Sequence, residues 1–209
     1  MTRGSRAWVL VATLLSVCAV LGWPLTHPSG QAPNPEALDW QPALAFSEPW
    51  RAFSAAGVHY SAQHLIGNLA GVALAGVFGV AALVPTRLAW AWLAAWPLTH
   101  LGLLVRPELA HYGGLSGVVH AGVAIVIVFV LAQGTRRQRL VGAAVLVGFC
   151  GKLLSESPWG PALRHPAGWD IAVAPIAHTT GALAGALCAG VALLLAPRKS
   201  NIREDEPAT

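Results

Sequence analysis

Residues 111–131 read HYGGLSGVVHAGVAIVIVFVL. From Leu115 to Leu131 the stretch is apolar almost throughout, near the roughly 20 residues that a helix needs to cross hydrocarbon. Yet it opens on polar chemistry: Gly113, Gly114 and Gly117 surround Ser116, and His120 follows the serine by four residues. Polar groups at membrane depth are costly and therefore informative.

The whole chain points to the same solvent. Only 11% of its residues are charged, 55% are hydrophobic and the mean hydropathy is +0.58. A soluble domain carries about a quarter charged residues, so the bilayer is the expected environment. The net charge of +4 is not a nucleic-acid footprint, because in a membrane protein the placement of Lys and Arg outweighs their sum. No nucleic-acid partner is expected. Cys18, Cys150 and Cys188 all lie in apolar runs. They offer no disulfide framework or zinc spacing, and no metal or cofactor is expected.

Six stretches have the length and composition of spans: Ala7–Leu25, Ser61–Val84, Leu88–Val105, Leu115–Leu131, Leu140–Leu154 and Pro175–Leu195. The fifth is short, and Lys152 near its end is expected to snorkel to the interface. Alternating barrel patterning is absent, so the spans read as helices. Arg3, Arg6, Arg87, Arg136, Arg137, Arg139, Arg198, Lys199 and Arg203 fall on one side; Arg51, Arg106, Lys152 and Arg164 fall on the other. The richer side is the cytoplasmic one, which places both termini there. Trp23, Trp50, Trp159 and Trp169 are expected to flank the spans on the outer side, and Trp8 and Trp90 on the inner. The first span resembles a signal peptide, but its length favours a retained helix. Residues 1–196 form the expected membrane domain and 197–209 a short cytoplasmic tail. The Pro-rich connection 26–54 is too long for a passive turn and is expected to lie partly in the outer leaflet.

Three spans concentrate polar groups. In the second, His64 and Asn68 share a helix face about 6 Å apart, with His59 a further turn and a half outward along the helix. Gly67, Gly71, Ala75 and Gly79 form a small-residue stripe suited to close packing. In the fourth, Ser116 stands in the first helical turn, where free N–H groups and the helix dipole favour developing negative charge. In the sixth, His178 precedes a second stripe, Gly181, Gly185 and Ala189. Taken singly, His64 and Asn68 fit interhelical hydrogen bonding, Ser116 a helix cap, and His178 a satisfied histidine. Together they fit one reaction. Ser116 is the candidate nucleophile and His178 the general base. Asn68 and His64, with the Ser116 N–H, are the candidate oxyanion donors. No acidic third member is required; Asp170 is read as the only nearby outer carboxylate and is assigned no role.

At this point the chain resembles the rhomboid intramembrane serine proteases over about residues 48–190. Trp50–Arg51 matches the WR pair of their first loop, HYSAQHLIGN (59–68) their second helix, GGLSGVV (113–119) their serine motif, and AHTTGALAG (177–185) their last helix. The resemblance implies a six-transmembrane-helix rhomboid-like bundle, all-α, with catalytic Ser116 and His178, oxyanion-stabilising His64 and Asn68, and supporting Gly114, Gly117, His120 and His59. His120 departs from the pattern, since many members carry tyrosine there, packed on the catalytic histidine. GLSGVVH and the small frame are most similar to the bacterial rhombosortase branch. That likeness implies a protease of the bacterial inner membrane with its site toward the outer side. Its substrates would be membrane-anchored proteins bearing a Gly-rich C-terminal transmembrane sorting tail. There are two rivals, the second from another class. One is a catalytically silent rhomboid-like protein that binds client helices. The other is a haem- or metal-binding membrane protein using His64, His100, His120 and His178, which a Soret band would reveal. A transporter reading lacks repeats and charged pathway residues.

Overall fold

The computed structural model describes residues 1–196, so the expected tail 197–209 lies outside the described residues. Among the described residues seven α-helices form: α1 Arg3–Thr26, α2 Arg51–Ser54, α3 Ala62–Ala81, α4 Thr86–Leu101, α5 Ser116–Gln133, α6 Arg136–Ser155 and α7 Pro175–Leu194. Six of them, α2 excepted, are long and apolar enough to cross a membrane, α4 being extended by a 3-10 turn to Val105. The protein is thus an all-α, multi-pass membrane protein. Among the described residues no strand forms, only the isolated bridges Trp40–Tyr112 and Arg164–Val173.

Local sequence sets the helix starts. Thr2 caps α1 by accepting from the Ser5 N–H, Ser61 caps α3 by accepting from the His64 N–H, and Thr135 with Gln138 forms a capping box on α6. That box lengthens the fifth span beyond the expected Leu140–Leu154. Ser61 has the opposite effect on His59, which precedes the helix instead of lying a further turn along it. Short turns, 82–85 and 134–135, lie at one end of the bundle, with the start of α1. The long connections 27–61, 102–115 and 156–174 lie at the other.

α5 is the central helix, packed against α3, α4, α6 and α7. Lipid is as apolar as leucine, so helices associate here through close packing and interhelical hydrogen bonds. A methyl group on Gly181 would overlap the Gly117 carbonyl oxygen, and one on Gly185 the Ala121 carbonyl oxygen. The α7 stripe is therefore spent on α5. The α3 stripe is shared among three neighbours: Gly67 faces Trp169, Gly71 faces Val119, and Gly79 faces Trp8. Trp8 is fully buried, stacked on Trp92 with centroids 4.3 Å apart, and donates Nε1–H to the Ala75 carbonyl at 3.0 Å. It is a core residue, not the interface marker expected, because α3 and α4 cover this turn of α1. Trp90 stays exposed. α6 is peripheral, and Gly142 is its one buried residue.

The 27–61 connection is built around Asp39. Its carboxylate has no exposed surface and accepts from Gln41 Nε2 at 2.9 Å, His111 Nδ1 at 3.0 Å and Tyr60 Oη at 3.4 Å. Burial raises its pKa above the ordinary range, opposed by Gln41, His111 and Arg51. Arg51 donates to the Asp39 and Glu36 carbonyls at 2.8 and 2.9 Å and to Glu48 at 2.6 Å. Phe46, Trp50 and Phe53 remain exposed on this connection, a surface suited to the membrane interface.

The α5–α7 seam yields the first prediction. Gly181→Ala should lower the unfolding midpoint in detergent, overpacking of this kind costing about 1–3 kcal/mol. Gly190→Ala on the same helix has nothing within 4 Å of the added methyl and should leave the midpoint unchanged or raise it.

Candidate active site

Ser116 is the first residue of α5, and the backbone before it is held from two sides. Trp40 and Tyr112 exchange N–H···O bonds of 2.7 and 2.9 Å, and the Gly114 N–H donates to the Ala55 carbonyl at 2.9 Å. Gly114 sits at φ +135°, a conformation that a side chain rarely adopts. A Cβ there would also lie 2.8 Å from the His64 ring. α5 begins at the N-cap Leu115 without a side-chain cap, so its first-turn N–H groups keep their capacity to donate.

His178 lies in the first turn of α7, one turn before Gly181. Because α7 is pressed onto α5 at Gly117 and Gly181, its ring reaches the serine: Nε2 is 3.0 Å from Ser116 Oγ. The other ring nitrogen, Nδ1, is 2.7 Å from Glu156 Oε2. Glu156 caps the C-terminus of α6. Its second oxygen accepts from Lys152 Nζ at 2.6 Å, and its backbone carbonyl from Arg164 Nη1 at 2.8 Å. Burial pushes the Glu156 carboxyl up, but the His178 and Lys152 contacts outweigh it and hold the group down to about 2. His120 stacks on His178, centroids 4.2 Å apart and planes within 14°, and donates Nδ1–H to the Ser116 carbonyl at 2.7 Å.

Across from this pair, His64 and Asn68 flank Gly114: the Asn68 amide nitrogen is 3.7 Å from where its Cβ would be. That buried nitrogen has no hydrogen-bond partner. Ser116, His178, His64, Asn68, His120 and Glu156 all line one cavity of about 420 Å³, roofed by Trp169 and its neighbours in the α6–α7 connection. A hydroxyl against an imidazole, an unpartnered amide donor and a partly enclosed cavity are the parts of an acyl-transfer site.

A family model described as Rhomboid domain matches residues 47–195, from the 27–61 connection through α7. The chain belongs to the rhomboid family. No curated protein matches it. Rhomboids are mostly intramembrane serine proteases, and the family includes inactive members.

The structure of this rhomboid brings together Ser116, His178, His64, Asn68, Gly114, Gly117 and His120. Gly117 fills the seam, where a Cβ would lie 2.7 Å from the Ala177 carbonyl oxygen. His59 is fully buried behind His64, with ring centroids 4.9 Å apart and Nδ1 3.2 Å from the Gly57 carbonyl. It touches the site only through His64. Asp170 accepts from the Ser61 hydroxyl at 2.7 Å. It is not the only nearby carboxylate, as expected from sequence: Glu156 is nearer to the chemistry and is the residue that reading missed. Its signal was the Lys152–Glu156 spacing of one helical turn at the end of the fifth span. Lys152 pairs with that carboxylate rather than merely reaching for the interface.

Burial, with repulsion from His27, holds the His59 imidazole down to about 4. The unfolded chain therefore takes up a proton that folded His59 refuses, and stability should be lost as pH falls from about 6.5 towards about 4. Thermal unfolding in detergent across that window checks this. His59→Asn should reduce the slope.

Proposed function

We propose that this rhomboid is an intramembrane serine protease acting through a Ser116–His178 pair. The observation that carries the reading is the 3.0 Å contact between Ser116 Oγ and His178 Nε2 at the end of a membrane-spanning helix. Ser116 Oγ attacks the scissile carbonyl carbon as its proton passes to His178 Nε2. The carbonyl oxygen, now negative, is held by the Asn68 amide, His64 and the Ser116 N–H. The C–N bond then breaks, and His178 gives its proton to the departing amine. Water enters, loses a proton to His178, and adds its oxygen to the acyl carbon. The serine leaves with that proton restored. The unpartnered Asn68 nitrogen suits its role, since a donor satisfied in the resting state would have to break a bond to serve the oxyanion.

The charge distribution supports an orientation. Arg3, Arg6, Arg87, Arg136, Arg137 and Arg139 gather at the short-turn end, where no acidic residue lies among the described residues. At the other end lie Arg51, Arg106, Lys152 and Arg164, the first three paired with Glu48, Glu108 and Glu156. Six basic residues against four mark the short-turn end as the cytoplasmic one, and both termini belong there. The active site faces the outer side of a bacterial inner membrane.

We further assign the enzyme to the rhombosortase branch on GLSGVVH. Its substrates are then membrane-anchored proteins with a Gly-rich C-terminal transmembrane tail. A substrate helix must unwind locally to present its scissile carbonyl, and glycine eases that unwinding.

Ser116→Ala and His178→Ala should each abolish both cleavage and labelling by a fluorophosphonate serine probe, while leaving the protein folded in the membrane. Turnover by either variant at the normal rate removes the pair. Asn68→Ala should slow the reaction by about 10²–10³-fold, as loss of one oxyanion donor does elsewhere. An unchanged rate would reduce Asn68 to packing. His120→Tyr keeps an aromatic ring against His178, so its rate should stay within about tenfold, the span of one aromatic contact. A larger loss assigns His120 a role beyond stacking.

A further inference from the structure

We infer that Glu156 is a third member of this site, a positioning residue that sets the tautomer of His178 and steadies the imidazolium formed during attack. The inference rests on the protease reading above. A carboxylate can only accept, so the 2.7 Å contact places the proton of neutral His178 on Nδ1. The lone pair is then on Nε2, 3.0 Å from the Ser116 hydroxyl, where a general base must present it. The opposite tautomer would point a hydrogen at the serine and leave it unactivated. During attack the serine proton joins Nε2 and the ring becomes cationic, with Nδ1–H still donated to Glu156. That proton later leaves from Nε2 to the amine. Glu156 itself gains and loses none, and its charge lies where positive charge develops.

Its surroundings separate this role from an incidental surface ion pair. A Lys–Glu pair one turn apart at a helix end needs nothing from another helix. Here each carboxylate oxygen has its own partner, Lys152 on Oε1 and His178 on Oε2. Arg164, itself bridged to Val173 just before α7, holds the Glu156 carbonyl. These contacts matter because α6 buries only Gly142, so packing alone does not fix the carboxylate against α7. Lys152 and Arg164 are the basic groups beside the carboxylate, and His120 covers the other face of the imidazole.

The test is the rate of fluorophosphonate labelling of the full chain in detergent, resolved into probe affinity and maximal rate. Wild type, Glu156→Gln, Glu156→Asp and Ser116→Ala are compared, with thermal unfolding of each as the control for folding. A positioning carboxylate predicts a maximal rate lower by about 10²-fold in Glu156→Gln, with probe affinity unchanged. Glu156→Asp, shorter but charged, should retain more than Glu156→Gln. A structural role predicts the reverse order, since glutamine preserves shape. Either that order or equal rates overturns the inference while the protease reading stands, provided Ser116→Ala loses the label. No labelling of folded wild type removes both. A second readout needs no Glu156 variant to fold: the wild type should show a strongly deshielded proton resonance from His178 Nδ1. Its absence overturns the inference.

Discussion

The site depends on how closely α5 and α7 approach. Gly117 and Gly181 meet backbone to backbone, and Ala121 and Gly185 repeat the contact one turn on. In lipid there is no water to drive apolar surfaces together, so contact of this kind supplies the cohesion that burial supplies in a soluble core. It also sets the chemistry. His178 lies three residues before Gly181 and Ser116 one residue before Gly117. Pressing the two glycines together brings Oγ and Nε2 to hydrogen-bond distance. The stripe and the proposed catalytic pair are one feature, seen first as packing and then as geometry.

A second constraint acts on the backbone ahead of Ser116. The 27–61 connection is clamped around the buried Asp39, with Arg51, Gln41, Tyr60 and His111 converging on it. Buried ionic clusters contribute little net stability, because desolvation offsets attraction; in some proteins they select one conformation over others. Here that conformation lets Trp40 bridge Tyr112 and Ala55 receive the Gly114 N–H, which holds Gly114 at its left-handed angle against His64. A long connection thereby becomes a support for the candidate oxyanion site.

The acidic side chains show the same division of labour. Every described carboxylate lies at the long-connection end, and Asp39, Glu48, Glu108 and Glu156 are paired with a basic or imidazole group there. Pairing sets a cation or an imidazole beside each of these four carboxylates, at the end where the proposed site must work. The short-turn end keeps its arginines without carboxylate partners among the described residues. In the proposed reading one arrangement serves two ends: orientation in the membrane, and an imidazole steadied by a carboxylate.

Much of this was readable from the chain alone. Six apolar runs of spanning length can only be helices in lipid, since every backbone polar group must be satisfied within the segment. Ser116, His178, His64 and Asn68 stood out because polar residues are rare at that depth. Their separation along the chain said nothing against their meeting, and the glycines beside them indicated where helices would touch. What the sequence could not assign was the direction in which a side chain points once helices turn against one another. Trp8 read as an interface residue until α3 and α4 covered it. His59 read as helical until Ser61 capped the helix after it. Glu156 read as an unremarked residue past the end of a span. Only the meeting of the end of α6 with α7 aims its carboxylate at His178, and that meeting joins residues 22 apart in the chain, which no local pattern records.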